Sequence, residues 1–182
     1  MKLDKRLLIV PAIAALTIPL LAASGSRAIA APTAQTPTPR GSLCARGEEV
    51  IFHCGIGRKM VSVCGGRATA PHAQYRYGTP GNIELAFPGP ADQGRLVYER
   101  EAYSGGGALQ IRFSRGGYDY AVYSRTIRTG FGRRGNNPRF SDGVMVMRGG
   151  RLVSNMACTT AVSGDAQPED FMEAGTGMQW PD

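Results

Sequence analysis

Histidine is nearly missing from this chain: His53 and His72 are the only two in 182 residues. That scarcity leaves little material for imidazole-based acid–base or metal chemistry, and neither G-x-S-x-G nor H-E-x-x-H occurs. A close cysteine pair is also lacking. Cys44, Cys54 and Cys64 are separated by nine residues each and Cys158 stands far off, so the C-x-x-C of zinc sites and dithiol redox centres is absent. No metal site and no cofactor is expected. No stretch places apolar residues at three- and four-residue spacing, which argues against substantial helix. Ser104-Gly105-Gly106-Gly107 lacks the Lys-Ser/Thr that follows a phosphate-binding P-loop and reads as a flexible connector. Beyond residue 30 no apolar run is long enough to cross a bilayer.

What is present begins with the leader. Met1–Arg6 is basic, Leu7–Ala23 is an apolar run of 17 residues broken by Pro11 and Pro19, and Ala28-Ile29-Ala30 is a small-residue cut site. This is the pattern of a secretory signal peptide over residues 1–30, and it predicts a periplasmic or extracellular product with no membrane span after cleavage. The leader carries Lys2, Lys5, Arg6 and Arg27 against Asp4, so only +4 of the formal +7 stays with the mature chain. Residues 31–42, rich in Pro, Thr and Ala, read as a flexible mature N-terminus. Residues 43–158 read as one β domain, and 159–182 as a polar C-terminal tail.

Within that domain Gly and Pro punctuate short runs of Val, Ile, Tyr and Phe. Four hairpins are expected. Glu49–Cys54 returns through Gly55–Arg58 to Lys59–Cys64, with Phe52 facing Val61. Gln74–Tyr77 returns through Gly78–Gly81 to Asn82–Phe87. Leu109–Ser114 turns at Arg115-Gly116, setting Phe113 against Tyr118 and Arg112 against Asp119. Val144–Arg148 turns at Gly149-Gly150 into Arg151–Met156. Arg95–Tyr98 adds a further strand, and Ser124–Asp142 is the longest irregular segment. The expected fold is all-β: a single antiparallel β-barrel or sandwich of about eight strands, built from sequential hairpins and disulfide-linked.

An exported chain with an even cysteine count points to disulfides. Four cysteines allow three pairings, and sequence alone does not choose. Hairpin geometry narrows them. Cys44–Cys54 would span one nearly extended segment, and Cys54–Cys64 would join a turn to a position well down the return strand; both exceed the roughly 7 Å reach between Cα atoms. Cys44–Cys64 and Cys54–Cys158 are left.

Candidate chemistry is sparse. Glu84, Glu99, Glu101, Asp119 and Asp142 are available for glycoside chemistry, but no two pair in sequence. Glu84 beside Arg76 and Asp119 beside Arg112 read as cross-strand ion pairs. His53 reads as a sheet residue and His72 as a loop residue. The most unusual segment is Ser124–Phe140, with Arg125, Arg128, Arg133, Arg134 and Arg139 and no acid. Guanidinium groups in that density suit phosphate, sulfate or carboxylate. Tyr118 and Tyr120 are added as possible stacking or anchoring residues.

The strings Cys44…Glu49-Val50-Ile51-Phe52-His53-Cys54, Lys59–Cys64, Tyr75-Arg76-Tyr77-Gly78 and Ile83-Glu84-Leu85-Ala86-Phe87-Pro88 resemble a family of small exported bacterial proteins of uncharacterised function. The resemblance extends over roughly Leu43–Cys158 and implies export and a single domain, but no activity. A looser, fold-level likeness is to periplasmic lysozyme inhibitors. Their Ser-Gly-x-x-Tyr loop has no clean counterpart, because Ser114-Arg115-Gly116-Gly117-Tyr118 carries an inserted residue.

Together these features predict an exported envelope protein that is not an enzyme: a binding module for an anionic envelope polymer, a lipid headgroup or an acidic protein. Nucleic acid is disfavoured as a partner, since no recognition motif is present. The alternatives are a small envelope hydrolase acting on cell wall or glycan, and a protein of the lysozyme-inhibitor kind.

Overall fold

The computed structural model describes residues 41–130, 135 and 137–181. The expected leader, most of the expected mature N-terminus, Arg133 and Arg134 lie outside the described residues. Among the described residues ten strands form two sheets. The first runs in order β1 (Glu49–Ile56), β2 (Lys59–Gly66), β3 (His72–Thr79) and β4 (Asn82–Phe87). The second contains β5 (Val97–Tyr103), β6 (Gly106–Arg115), β7 (Tyr118–Arg128), β8 (Pro138–Arg148), β9 (Arg151–Ala157) and β10 (Glu173–Ala174), in the order β10-β5-β6-β7-β8-β9. Every pairing is antiparallel except that of β10 with β5. Of the two all-β architectures expected, the chain forms the sandwich-like one and does not close into a barrel.

Alternation along each strand builds the core. Val61, Val63, Tyr75 and Phe87 of the first sheet pack with Ile111, Phe113, Val122 and Val144 of the second. Phe113 is the aromatic centre, its ring 4.4 Å from Phe87, 4.7 Å from Tyr120 and 5.0 Å from Tyr75. Burial of a side chain of this size contributes about 1.5–3 kcal/mol.

Turn chemistry sets the registers, and in two hairpins it corrects the expected ones. The β6–β7 turn is Gly116-Gly117, with φ of 60° and 77°. A two-residue turn of this hand needs positive φ at both central residues, which Arg115 would resist. Phe113 therefore pairs with Tyr120 rather than Tyr118, and Arg112 lies opposite Ala121 rather than Asp119. A shift of two residues leaves every side chain on its face, so the apolar stripe survives while the partners change. The first hairpin behaves alike. Its turn is Gly57-Arg58, Cys54 pairs with Val61, and Phe52 faces Val63. A bulge at Ile51 lets Ile51 and Phe52 both reach the interior.

Three segments expected to be irregular carry strand or anchoring contacts among the described residues. Ser104–Gly107 is no loose connector: Tyr103 pairs directly with Gly106 across a tight turn. Most of Ser124–Asp142 is strand, with Ser124 opposite Asp142, Thr126 opposite Phe140 and Arg128 opposite Pro138. The C-terminal segment is not a detached tail. Thr159 donates its N–H to the Gly55 carbonyl (2.8 Å) and Ser163 to that of His53 (3.0 Å), so the chain covers the free edge of β1. A 3₁₀ turn at Pro168–Asp170 then places Phe171 in the core, and Trp180 meets Tyr123 edge-on at 5.8 Å. Its apolar anchors are single residues in a polar stretch, too sparse to register as periodicity.

The disulfides are Cys44–Cys64 and Cys54–Cys158. The first fastens the segment before β1 onto the outer face of β2. The second joins β1 to the residue after β9, linking the two sheets.

Candidate functional site

The outer face of the first sheet is held by a network of polar contacts. His53 Nδ1 lies 3.1 Å from the Val61 carbonyl, which can only accept, so Nδ1 carries the proton and shares it with Ser62 Oγ at 3.0 Å. Ser62 is fully buried and accepts the Leu43 N–H at 3.0 Å. No base addresses that hydroxyl, and the His–Ser contact is structural. Burial lowers the His53 pKa despite the opposing hydrogen bond to Val61, favouring the neutral ring. Beside it Arg76 clamps Glu48 with two hydrogen bonds of 2.6 and 2.7 Å and donates to the Leu43 carbonyl. Burial works to raise the Glu48 carboxyl pKa. The hydrogen bonds from Arg76 and the Ala45 N–H outweigh it and hold the group below its ordinary value. Among the described residues one group of metal-ligating types, Cys44, Glu48 and Cys64, comes together here. Its two sulfurs are spent in the disulfide and its carboxylate on Arg76.

Both expected acid pairings are replaced. Glu84 binds Lys59 at 2.6 Å, not Arg76. Asp119 accepts from Ser114 Oγ at 2.6 Å, while Arg112 turns to Glu99 at 3.3 Å.

The tyrosines and arginines proposed from sequence do not form one surface. Tyr120 is stacked on Phe113 in the core. Tyr118 stands at the β6–β7 tip, under the guanidinium of Arg148 at 5.2 Å. Ten residues of strand, roughly 33 Å at 3.3 Å per residue, separate Tyr118 from Arg128. The arginines instead occupy the far end of the β7–β8 ribbon, on both faces. Arg125 and Arg139 share the face of Tyr123 by alternation, and Arg128 lies on the opposite one. Arg125 stacks on Trp180 at 4.7 Å and its Nε donates to the Tyr103 hydroxyl at 3.3 Å. Arg139 is exposed, and its neighbour Phe140 is 68% exposed.

A feature that sequence reasoning missed lies beside this ribbon. A groove of about 670 Å³ opens where β1, the ends of β5–β7 and the Val162–Pro168 segment meet. Ile51, Phe52, Leu109 and Val162 give it an apolar floor, and Ser124, Thr126, Arg100 and Gln167 give it a polar rim. Close strand packing at its edge requires glycine: a Cβ on Gly107 would lie 3.0 Å from the Glu101 carbonyl, and one on Gly106 would collide with that of Thr126. Arg100 bridges the rim, donating to Gln167 Oε1 at 2.9 Å and reaching Glu169 at 3.3 Å. The one sequence signal was the run Gly106-Gly107-Ala108, small residues inside a strand, where a backbone or ligand approaches closely.

The chain matches no protein-family model, no curated protein and no solved structure.

Proposed function

We propose that this protein is an exported, non-enzymatic binding module that docks on an anionic component of the cell envelope through the arginine-bearing end of β7–β8. The observation that carries this reading is charge compensation. Arg67, Arg76, Arg95, Arg100, Arg112 and Arg115 each meet a carboxylate. Arg125 and Arg139 meet none among the described residues, nor do Arg46, Arg58, Arg148 and Arg151; the β7–β8 end is set apart by its sequence, which carries no acid from Ser124 to Phe140. The positive charge of Arg125 and Arg139 adjoins two further arginines in the sequence, Arg133 and Arg134. Guanidinium groups left unneutralised at an exposed strand end suit phosphate or carboxylate oxygens.

The exported setting draws support from the leader sequence and from two disulfides, which persist in oxidising compartments. Among the described residues no helix is long and apolar enough to cross a membrane. The non-catalytic reading draws support from the fate of the reactive groups: His53 is held by a carbonyl, Ser62 is buried, and Glu84 and Glu99 are ion-paired.

Binding to lipopolysaccharide and to vesicles rich in anionic lipid tests the reading at 0.05 and 0.5 M salt. Affinity should fall steeply with salt, because exposed charges are screened over about 10 Å at 0.1 M. The triple substitution Arg133→Gln, Arg134→Gln, Arg139→Gln should weaken it without lowering thermal stability. Arg148→Gln/Arg151→Gln, at the opposite end of the second sheet, should leave it unchanged. Salt-independent binding, or loss only in the second variant, would sink the proposal.

A further inference from the structure

The groove is a different site from the arginine face, and we infer that it takes a saccharide. Two of its lining side chains, Ser124 and Thr126, and one carboxylate just beyond its lining, Asp142 on the next strand, stand without a hydrogen-bond partner. Ser124 and Thr126 alternate along β7, roughly 6.6 Å apart on the same side. Asp142 lies directly across from Ser124 on β8, and Phe140 directly across from Thr126, so all four share that face. Among the described residues neither hydroxyl and no oxygen of the Asp142 carboxylate makes a hydrogen bond, although all three residues are only partly exposed. Among the described residues Phe140 is more exposed than Ile83, Leu152 or Val153, at 68%.

Each part matches one property of a pyranose. The sugar's C–H face needs a flat apolar partner, which the Phe140 ring supplies. Its hydroxyls need donors and acceptors in pairs. A carboxylate accepts from two hydroxyls, and Ser and Thr hydroxyls both donate and accept. The apolar floor of Phe52 and Leu109 and the volume of about 670 Å³ suit a ligand of one to a few rings. An acyl chain fits worse, since it would cover the free hydroxyls and the carboxylate without satisfying them. A phosphate or carboxylate fits worse too: Asp142 repels it, Arg100 is already engaged by Gln167 and Glu169, and Arg128 turns to the Gly130 carbonyl. The gap between the two sheets thus serves a neutral polyol, while Arg125 and Arg139 lie on the other face of the ribbon.

The test is titration calorimetry of the full mature chain with three probes: chitotriose, cellotriose and dodecanoate. The expected result is saturable binding of at least one trisaccharide, with affinity that changes less than twofold between 0.05 and 0.5 M salt. Asp142→Asn and Thr126→Val should each weaken it tenfold or more. The Arg133/Arg134/Arg139 triple glutamine variant should bind the sugar as the wild type does, so failure here and failure of anion binding are read separately. Ser124→Ala, which only removes an oxygen, serves if either other variant unfolds. Binding of neither trisaccharide, displacement of the sugar by dodecanoate, or affinity indifferent to all three groove substitutions overturns the assignment.

Discussion

Gln110 grips the backbone of Gln179 with both ends of its amide: Nε2 donates to the Gln179 carbonyl at 2.7 Å, and Oε1 accepts the Gln179 N–H at 2.9 Å. Gln110 is fully buried on the outer face of β6. The C-terminal segment is thereby fixed across that face, and Trp180 closes over Tyr123 and Arg125.

Gln110→Leu should release this segment. Two buried hydrogen bonds are lost and the Gln179 backbone must find water, a cost of about 2–3 kcal/mol. Trp180 is the sole tryptophan, so its fluorescence should shift to the red in the native state of the variant. An unshifted spectrum would show that the segment is held by other contacts.

The disulfides should differ in worth. Cys54–Cys158 closes a loop of 104 residues and Cys44–Cys64 one of 20. Chain entropy then assigns about 4.7 kcal/mol to the first and about 3.3 kcal/mol to the second. Urea unfolding of the two double-alanine variants measures both, and the reverse order would contradict the loop-length argument.

Acid should weaken the fold in two stages. His53 has a folded pKa below 6.5, so the unfolded chain takes up its proton first. Its contribution is complete above pH 6.5 and is lost as pH falls through the lower folded value. Glu48 has a folded pKa below 4.5; its contribution is present above pH 4.5 and is lost as pH falls through its own folded value. In unfolding measured from pH 8 to pH 3, His53→Gln should flatten the first stage and Glu48→Gln the second. Parallel pH curves for wild type and variants would remove both assignments.

The β6–β7 turn offers a backbone test. Gly117 sits at φ 77°, where a β-branched side chain clashes. Gly117→Val should cost about 1–2 kcal/mol and Gly117→Asn distinctly less, since Asn tolerates the left-handed region. Equal losses in thermal unfolding would mean that the turn has another shape.

Much of the architecture was legible because its signals are local. Alternation in Val61-Ser62-Val63 or Ile111-Arg112-Phe113 states which residues face inward, whatever the partner strand. Pro80-Gly81 and Gly149-Gly150 mark their turns by backbone geometry alone. Register was less legible, since Arg115-Gly116 and Gly116-Gly117 both close a hairpin and set pairings two residues apart, which alternation cannot distinguish. The choice rests on positive φ at two successive positions.

The amino-acid sequence by itself determined an all-β chain, its hairpins and the faces of its strands, because period-two alternation and turn residues act within a few positions. It also marked out the arginines of the β7–β8 segment, though as a loop. Tertiary structure alone decided which charges meet and where the groove opens. Arg76 passes over Glu84 on the neighbouring strand for Glu48, 28 residues earlier, because the disulfide from Cys44 to Cys64 brings that segment over β2. The groove exists because β1, β7 and Val162–Pro168, distant in sequence, converge at one end of the sandwich. Such meetings depend on the packing of one sheet against the other and on the path of the C-terminal segment, and no local pattern encodes either.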